Sequence, residues 1–179
     1  DWLATFDDYY TGNNSQSNCV ECILNTMLSA LSENPERTFT YTEISFFEKW
    51  YTKQSEANKL QVKKYVDEKR LEFLSGGWVM NDEADPYYQH IIDQIRLGMQ
   101  FLKKECDVVP KVAWYLDSCG HSLTNAYLMS KLGYENLVIV RIDYRDKEKR
   151  IKEQKMEFLW KPYDQIDKGK GSIFTHITY

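Results

Sequence analysis

Asp117 is the residue of this sequence best placed to do chemistry. It follows five apolar residues, Val112 to Leu116, and precedes the turn Ser118-Cys119-Gly120-His121. The run reads as a strand that stops at Asp117 where solvent is thin, and the glycine turn leaves room for a substrate. A carboxylate so placed can attack an anomeric carbon, hold a metal, or do both. The structural alternative is an Asp that caps the next helix. Arg141, at the end of the following apolar run, can steady negative charge near Asp117 or simply pair with it. His121 suits a ligand, an orienting partner or a hydrogen-bonded structural histidine. Asp82 and Glu83 form an acidic pair beyond Trp78, for which turn and cap chemistry is the alternative. His90 and His176 stand isolated and receive no role.

The cysteines are Cys19, Cys22, Cys106 and Cys119. One Cys-x-x-Cys pair lacks the second pair that a tetrahedral structural zinc site needs, and Cys106 and Cys119 are not spaced as one. A redox reading of Cys19 and Cys22 wants a strand upstream, where residues 1–18 supply a turn. Free cysteines are therefore the expectation. Asn13-Asn14-Ser15 is a glycosylation acceptor pattern in a polar loop.

The elements that must position these residues follow from periodicity. Leu24, Met27, Leu28 and Leu31 mark one face of a helix that Asn34-Pro35 stops. Thr38–Ile44 reads as a strand ending near Glu43, and a charged, helix-forming stretch follows to about Lys69. Leu71–Leu74 is a short buried strand running into Gly76-Gly77-Trp78. Asp85 as N-cap and Pro86 in the first turn open a long helix with Tyr87, Ile91, Ile95, Met99 and Leu102 along one face. Ser122 caps a helix with Ala126, Met129 and Leu132, closed by Gly133 at C′. Leu137–Ile142 is an apolar strand ending around Arg141, and Asp143–Lys155 is a charge run suited to a solvated loop and helix face. Alternating helices and near-continuous apolar strands predict an α/β fold with a parallel sheet covered on both faces. Its functional side is the carboxyl ends of the strands. That brings forward Glu43, the loop 77–83, residues 117–121 and residues 141–144.

The 179 residues, 42% hydrophobic and 28% charged, suit one globular domain. A net charge of −4 offers no footprint for a phosphate backbone, which disfavours nucleic acid as the main partner, and none is expected. No stretch approaches the ~18 apolar residues of a membrane-spanning helix. Aromatics at 15%, with 13 Tyr and 5 Trp, suit a sugar-binding surface as well as a core. No Met, basic n-region or apolar h-region opens the chain, which reads as a piece of something longer.

Several runs carry a resemblance. Trp2-Leu3 with Thr5-Phe6-Asp7-Asp8-Tyr9-Tyr10, then Glu43-Ile44-Ser45-Phe46-Phe47-Glu48-Lys49-Trp50, and Gly76-Gly77-Trp78-Val79-Met80-Asn81-Asp82-Glu83-Ala84 come first. Asp117 to Ser122 and Arg141-Ile142-Asp143-Tyr144-Arg145-Asp146-Lys147 follow in order. Together they resemble class II α-mannosidases, glycoside hydrolase family 38, from Trp2 to His176. The resemblance implies a Zn2+-dependent retaining exo-glycosidase that removes α-linked mannose from N-glycans or their breakdown products. It implies that residues 1–179 form the N-terminal part of a catalytic domain, a parallel-stranded (β/α) barrel of the seven-stranded type present only in part. Its nucleophile, which also ligates the zinc, lands on Asp117. The tryptophan that walls the sugar pocket lands on Trp2, and the arginine beside the nucleophile on Arg141.

The departures are specific. The family's His-x-Asp zinc ligands lie upstream of Trp2, and Asp1 stands where the family has Gly. The remaining zinc-binding His and the acid/base Asp are expected beyond Tyr179. The Pro-Phe after the family's nucleophile is Ser118-Cys119 here, which removes a pocket aromatic. A glycan-binding pseudoenzyme or an inactive fragment of the same fold is accordingly the alternative, and residues 1–179 alone are expected not to hydrolyse mannosides. The resemblance also implies a mannose-containing oligosaccharide as substrate and a lysosomal or vacuolar lumen, with the Golgi lumen as runner-up. A homo-oligomer is left open.

Overall fold

The computed structural model describes residues 5–13 and 18–178. Among them the elements run α1 (Phe6–Thr11), α2 (Val20–Glu33), β1 (Phe39–Tyr41), α3 (Ile44–Tyr51), α4 (Glu56–Asp67), β2 (Leu71–Phe73) and α5 (Tyr88–Cys106). β3 (Val112–Tyr115), α6 (Leu123–Lys131), β4 (Asn136–Ile139), α7 (Tyr144–Glu153), β5 (Glu157–Trp160), α8 (Asp164–Asp167) and β6 (Ile173–Ile177) complete them. Trp2, with Asp1, lies outside the described residues.

Where local signals are strong, the chain follows them. Leu24, Met27, Leu28 and Leu31 are the buried residues of α2, which ends at an extended Asn34. Ser122 caps α6 by accepting the Asn125 N–H, and Gly133 follows its C-cap at φ +90. α7 buries none of its side chains, as its charge run requires.

Four expectations are corrected. The strand expected to end near Glu43 stops at Tyr41, and Ile44 already belongs to α3. The Ile44 and Ser45 N–H groups, free at a helix start, donate to Gly77 and Trp78 carbonyls at 3.1 and 3.0 Å. Ile44, Phe47, Trp50 and Tyr51 then fall on one buried helical face. The long helix begins later than Asp85, with Tyr87 as N-cap and half exposed, because the Ala84 and Asp85 N–H groups are drawn back onto Asp82. Its buried ladder is Ile91, Ile95, Gly98, Leu102 and Cys106. Cys19 and Cys22 are joined in a disulfide at the head of α2, where one helical turn brings their Cα atoms to 5.2 Å. Cys106 and Cys119 are free.

The fourth correction concerns the sheet. β1 and β2 pair in parallel as one sheet, and the second runs β3-β4-β6-β5 with β5 antiparallel to β6. Ser75 stitches the two together: its N–H donates to the Val112 carbonyl, and its hydroxyl accepts the Trp114 N–H, each at 2.7 Å. Among the described residues the second sheet is not covered on both faces. β3, β4 and β6 bury alternate residues, and on the other side Phe174 is 45% and Leu159 55% exposed. The described residues are thus an α/β arrangement of mixed sheets.

Two apolar clusters fill the interior. One gathers α2, α3, α4, β1 and β2; the other gathers β3, β4, β6 and α6. α5 serves both, giving Leu102 and Cys106 to the first and Ile91 and Ile95 to the second. Gly98 lets α5 press on the Gly76–Trp78 backbone, since a Cβ there would stand 2.1 Å from the Gly76 oxygen. Gly98→Ala should therefore destabilise the chain. Helix propensity favours Ala by about 1 kcal/mol, but overpacking against backbone costs ~1–3 kcal/mol. A urea unfolding midpoint that falls at unchanged slope is the expected result, and a rise would show that the loop yields.

Candidate functional site

β3 and β4 are parallel neighbours with Tyr115 opposite Ile139. Two residues further along each strand stand Asp117 and Arg141, so the register alone carries them to the same level. There Arg141 Nη2 donates to Asp117 Oδ1 in an ion pair. The expectation of thin solvent at Asp117 is corrected: its side chain is 66% and that of Arg141 54% exposed. Both sit beyond short strands that end at Tyr115 and Ile139, so neither is enclosed by the sheet. An exposed pair of this kind contributes little to stability.

The loop after β2 meets the same turn. Asp82 Oδ1 accepts the Cys119 N–H at 3.3 Å, and Glu83 Oε1 accepts the Ser122 N–H at 2.8 Å. The Ala84 N–H first, with Cys119, holds the Asp82 carboxyl below the usual carboxylate range. Turn chemistry, the alternative reading of this acidic pair, describes Asp82 toward Ala84, but the contacts to residues 119 and 122 reach the turn between β3 and α6. Sequence reasoning brought forward the loop 77–83 but gave no role to Asn81, a buried residue whose Oδ1 accepts the Tyr115 hydroxyl at 2.7 Å. No periodic or cap signal marks it, because its partner is 34 residues away.

His121 is half-buried, and its Nε2 has no hydrogen-bond partner among the described residues. Burial lowers its pKa below the ordinary histidine value, against the opposing charge of Glu83. With Arg141, Asp146, Arg150, Phe158 and Trp160 it lines a cavity of about 410 Å3. Ser118 is buried with its hydroxyl unpartnered among the described residues, and Cys119 is exposed. His90 stacks edge-on against Tyr87, and His176 Nδ1 contacts Glu157 Oε1 at 2.9 Å, so neither belongs to this group.

Glu43, just past the carboxyl end of β1, accepts the Met80 N–H at 3.4 Å. Burial raises its carboxyl pKa, with the Met80 N–H opposing. A raised folded-state pKa means that the native chain holds the proton where the unfolded chain has released it, so this group's contribution falls as pH rises from its ordinary value. Glu43→Gln should therefore gain stability relative to the parent on going from pH 4 to pH 7. Urea unfolding at both pH values checks this; a difference independent of pH counts against a perturbed Glu43.

Among the described residues no three of His, Cys, Asp and Glu come together as a metal site. Asp117 is the one residue of the expected zinc set they contain, and it is paired with Arg141. These residues do not fit a zinc ion by themselves. Trp2, the expected pocket wall, lies outside the described residues.

Asp117 and Arg141 stand at the carboxyl ends of adjacent parallel strands, the edge on which α/β folds build their active sites. The N-terminal domain of glycosyl hydrolases family 38 matches residues 1–179, and the chain belongs to that family. It is 44% identical to an alpha-mannosidase of Arabidopsis thaliana and 41% identical to the lysosomal alpha-mannosidase of Mus musculus, each across 98% of this chain and 18% of the relative. The lysosomal alpha-mannosidase of Dictyostelium discoideum is 44% identical across 98% of this chain and 17% of its own length. The chain therefore spans less than a fifth of these relatives. The crystal structure of an alpha-mannosidase from Enterococcus faecalis V583 shares the fold with a TM-score of 0.66 at 14% identity, over 88% of this chain and 17% of that one.

Proposed function

We propose that the protein carrying this chain hydrolyses terminal α-linked mannose from N-glycans or their degradation products, with Asp117 as nucleophile. The observation that carries the reading is the Asp117–Arg141 pair at the carboxyl ends of β3 and β4, in a chain of this family. In a retaining mechanism the Asp117 carboxylate forms a bond to the anomeric carbon while the glycosidic bond breaks. A second carboxyl ~5–5.5 Å away protonates the leaving oxygen, then deprotonates the water that releases the sugar from Asp117. Arg141 fixes the direction of the attacking oxygen and contacts the substrate. Asp82 and Glu83 give oxygens to backbone N–H groups; the acid/base, and the further donors a Zn2+ ion would require, are assigned to other residues. When bound, that ion would gather hydroxyls of the terminal mannose.

The proposal includes the seven-stranded barrel, of which β1 to β4 and β6 would be members, and Trp2 as a wall of the sugar pocket. The names of the mouse and Dictyostelium relatives support a lysosomal or vacuolar lumen. No described helix is long and apolar enough to cross a membrane. Glycan binding without turnover is the second reading, favoured by Ser118-Cys119 and the exposure of Asp117.

The test is the full-length protein on an aryl α-mannoside, followed by a fluorinated mannosyl trap and peptide mass mapping. Turnover and a glycosyl adduct on Asp117 are expected. Binding without turnover selects the second reading, and an adduct on another carboxylate overturns the assignment of Asp117.

A further inference from the structure

We infer that Asp82 and Glu83 are positioning residues whose carboxylates set the turn that presents Asp117. The inference rests on the proposed role of Asp117. Three consecutive side chains of one loop grip the chain before, within and after that turn. Asn81 takes the Tyr115 hydroxyl at 2.7 Å, Asp82 the Cys119 N–H at 3.3 Å, and Glu83 the Ser122 N–H at 2.8 Å.

The turn has little of its own to hold it. The Gly120 N–H donates to the Ser118 carbonyl at 2.9 Å, and Gly120 sits at φ +109, a conformation that L side chains rarely adopt. The Ser118 hydroxyl has no partner among the described residues. Asp117 itself is exposed and touches Arg141, which is exposed as well. A nucleophile on so weakly tied a segment would wander, and a displacement of about 1 Å can cost ~10²-fold in rate.

The gripping loop is firm in turn. Gln94 of α5 accepts the Trp78 N–H through its carbonyl at 3.0 Å and the Val79 N–H through its side chain at 3.1 Å. α3 donates to Gly77 and Trp78, and Glu43 holds Met80. The acidic pair is thus the link between a braced loop and an unbraced turn. Ionised carboxylates accept but do not donate, which suits two oxygens aimed at N–H groups. The Ser122 N–H also opens α6, where the helix dipole favours a negative partner.

The experiment uses the full-length protein and four variants, Asp82→Ala, Asp82→Asn, Glu83→Ala and Glu83→Gln, with Asp117→Ala in parallel. Each is assayed for kcat and KM on an aryl α-mannoside, for thermal midpoint, and for hydrogen exchange of the Cys119 and Ser122 amides. The alanine variants should lose ~10–100-fold in kcat with KM changed less than about 3-fold. Exchange should accelerate at Cys119 for Asp82→Ala and at Ser122 for Glu83→Ala. The amide variants keep an acceptor oxygen and should restore both readouts to within about 3-fold of the parent. Because Asp82 and Glu83 act on different amides, one variant that fails to fold leaves the other as the test. Parental kcat in the alanine variants beside a dead Asp117→Ala overturns the inference. Lost activity with unchanged exchange, or without rescue by the amides, does so too. An active Asp117→Ala instead defeats the nucleophile assignment, while exchange still decides whether Asp82 and Glu83 hold the turn.

Discussion

Asp117→Ala in the full-length protein should abolish mannoside turnover while leaving the fold intact. Both halves of that outcome follow from position. The side chain is 66% exposed and meets Arg141 in an exposed ion pair, so its removal opens no cavity and strands no buried charge. Pairs of this kind contribute less than about 1 kcal/mol, and the thermal midpoint should barely move. The rate should respond very differently, because in the proposed mechanism no covalent glycosyl intermediate can form without the carboxylate. A loss of ~10³-fold or more in kcat is expected, since a positioned nucleophile accounts for much of the barrier lowering in such reactions. Kinetics on an aryl α-mannoside together with a thermal melt decide it. Residual activity within tenfold of the parent would remove Asp117 from the mechanism.

Trp50→Ala should give the opposite signature, a large loss of stability from a residue of the first apolar cluster. Trp50 has no exposed surface, packs against Phe47 at a ring separation of 5.8 Å, and donates its indole N–H to Asn25 Oδ1 at 2.8 Å. Truncation of a buried tryptophan costs ~3–5 kcal/mol through lost burial and the cavity left behind. Asn25 is exposed, so its oxygen can turn to water and the cavity dominates. Against a total stability of ~5–15 kcal/mol, that is a large share. The damage should also reach the site, because α3 holds the Gly77 and Trp78 carbonyls through its first N–H groups. Chemical denaturation of residues 1–179 should show the drop, and an unchanged midpoint would place Trp50 outside the core.

What the sequence determined is what neighbouring residues decide among themselves. The stripe from Leu24 to Leu31, the Ser122 cap, the Gly133 exit and the solvated charge run of α7 all act within a few turns of chain. The order of motifs from Trp2 to Lys147 pointed to the family for the same reason, since residue type and spacing are properties of the string. Asp117 and Arg141 were legible because each ends an apolar run, and parallel strands in register carry their ends to one edge.

The tertiary structure decided what depends on distant partners. Ile44 became helix because its N–H found Gly77, and the long helix started late because Asp82 drew back the N–H groups of Ala84 and Asp85. β5 reversed direction, and the second sheet buried one face, through pairings that no window of sequence contains. The exposure of Asp117 could not be read from five apolar neighbours, because burial depends on what the rest of the chain lays over a strand end. Glu83 meets Ser122 across 39 residues and Asp82 meets Cys119 across 37. Local periodicity and caps report short-range free energies. The grip on the turn is a long-range one, created only when α5 seats the loop after β2 beside the end of β3.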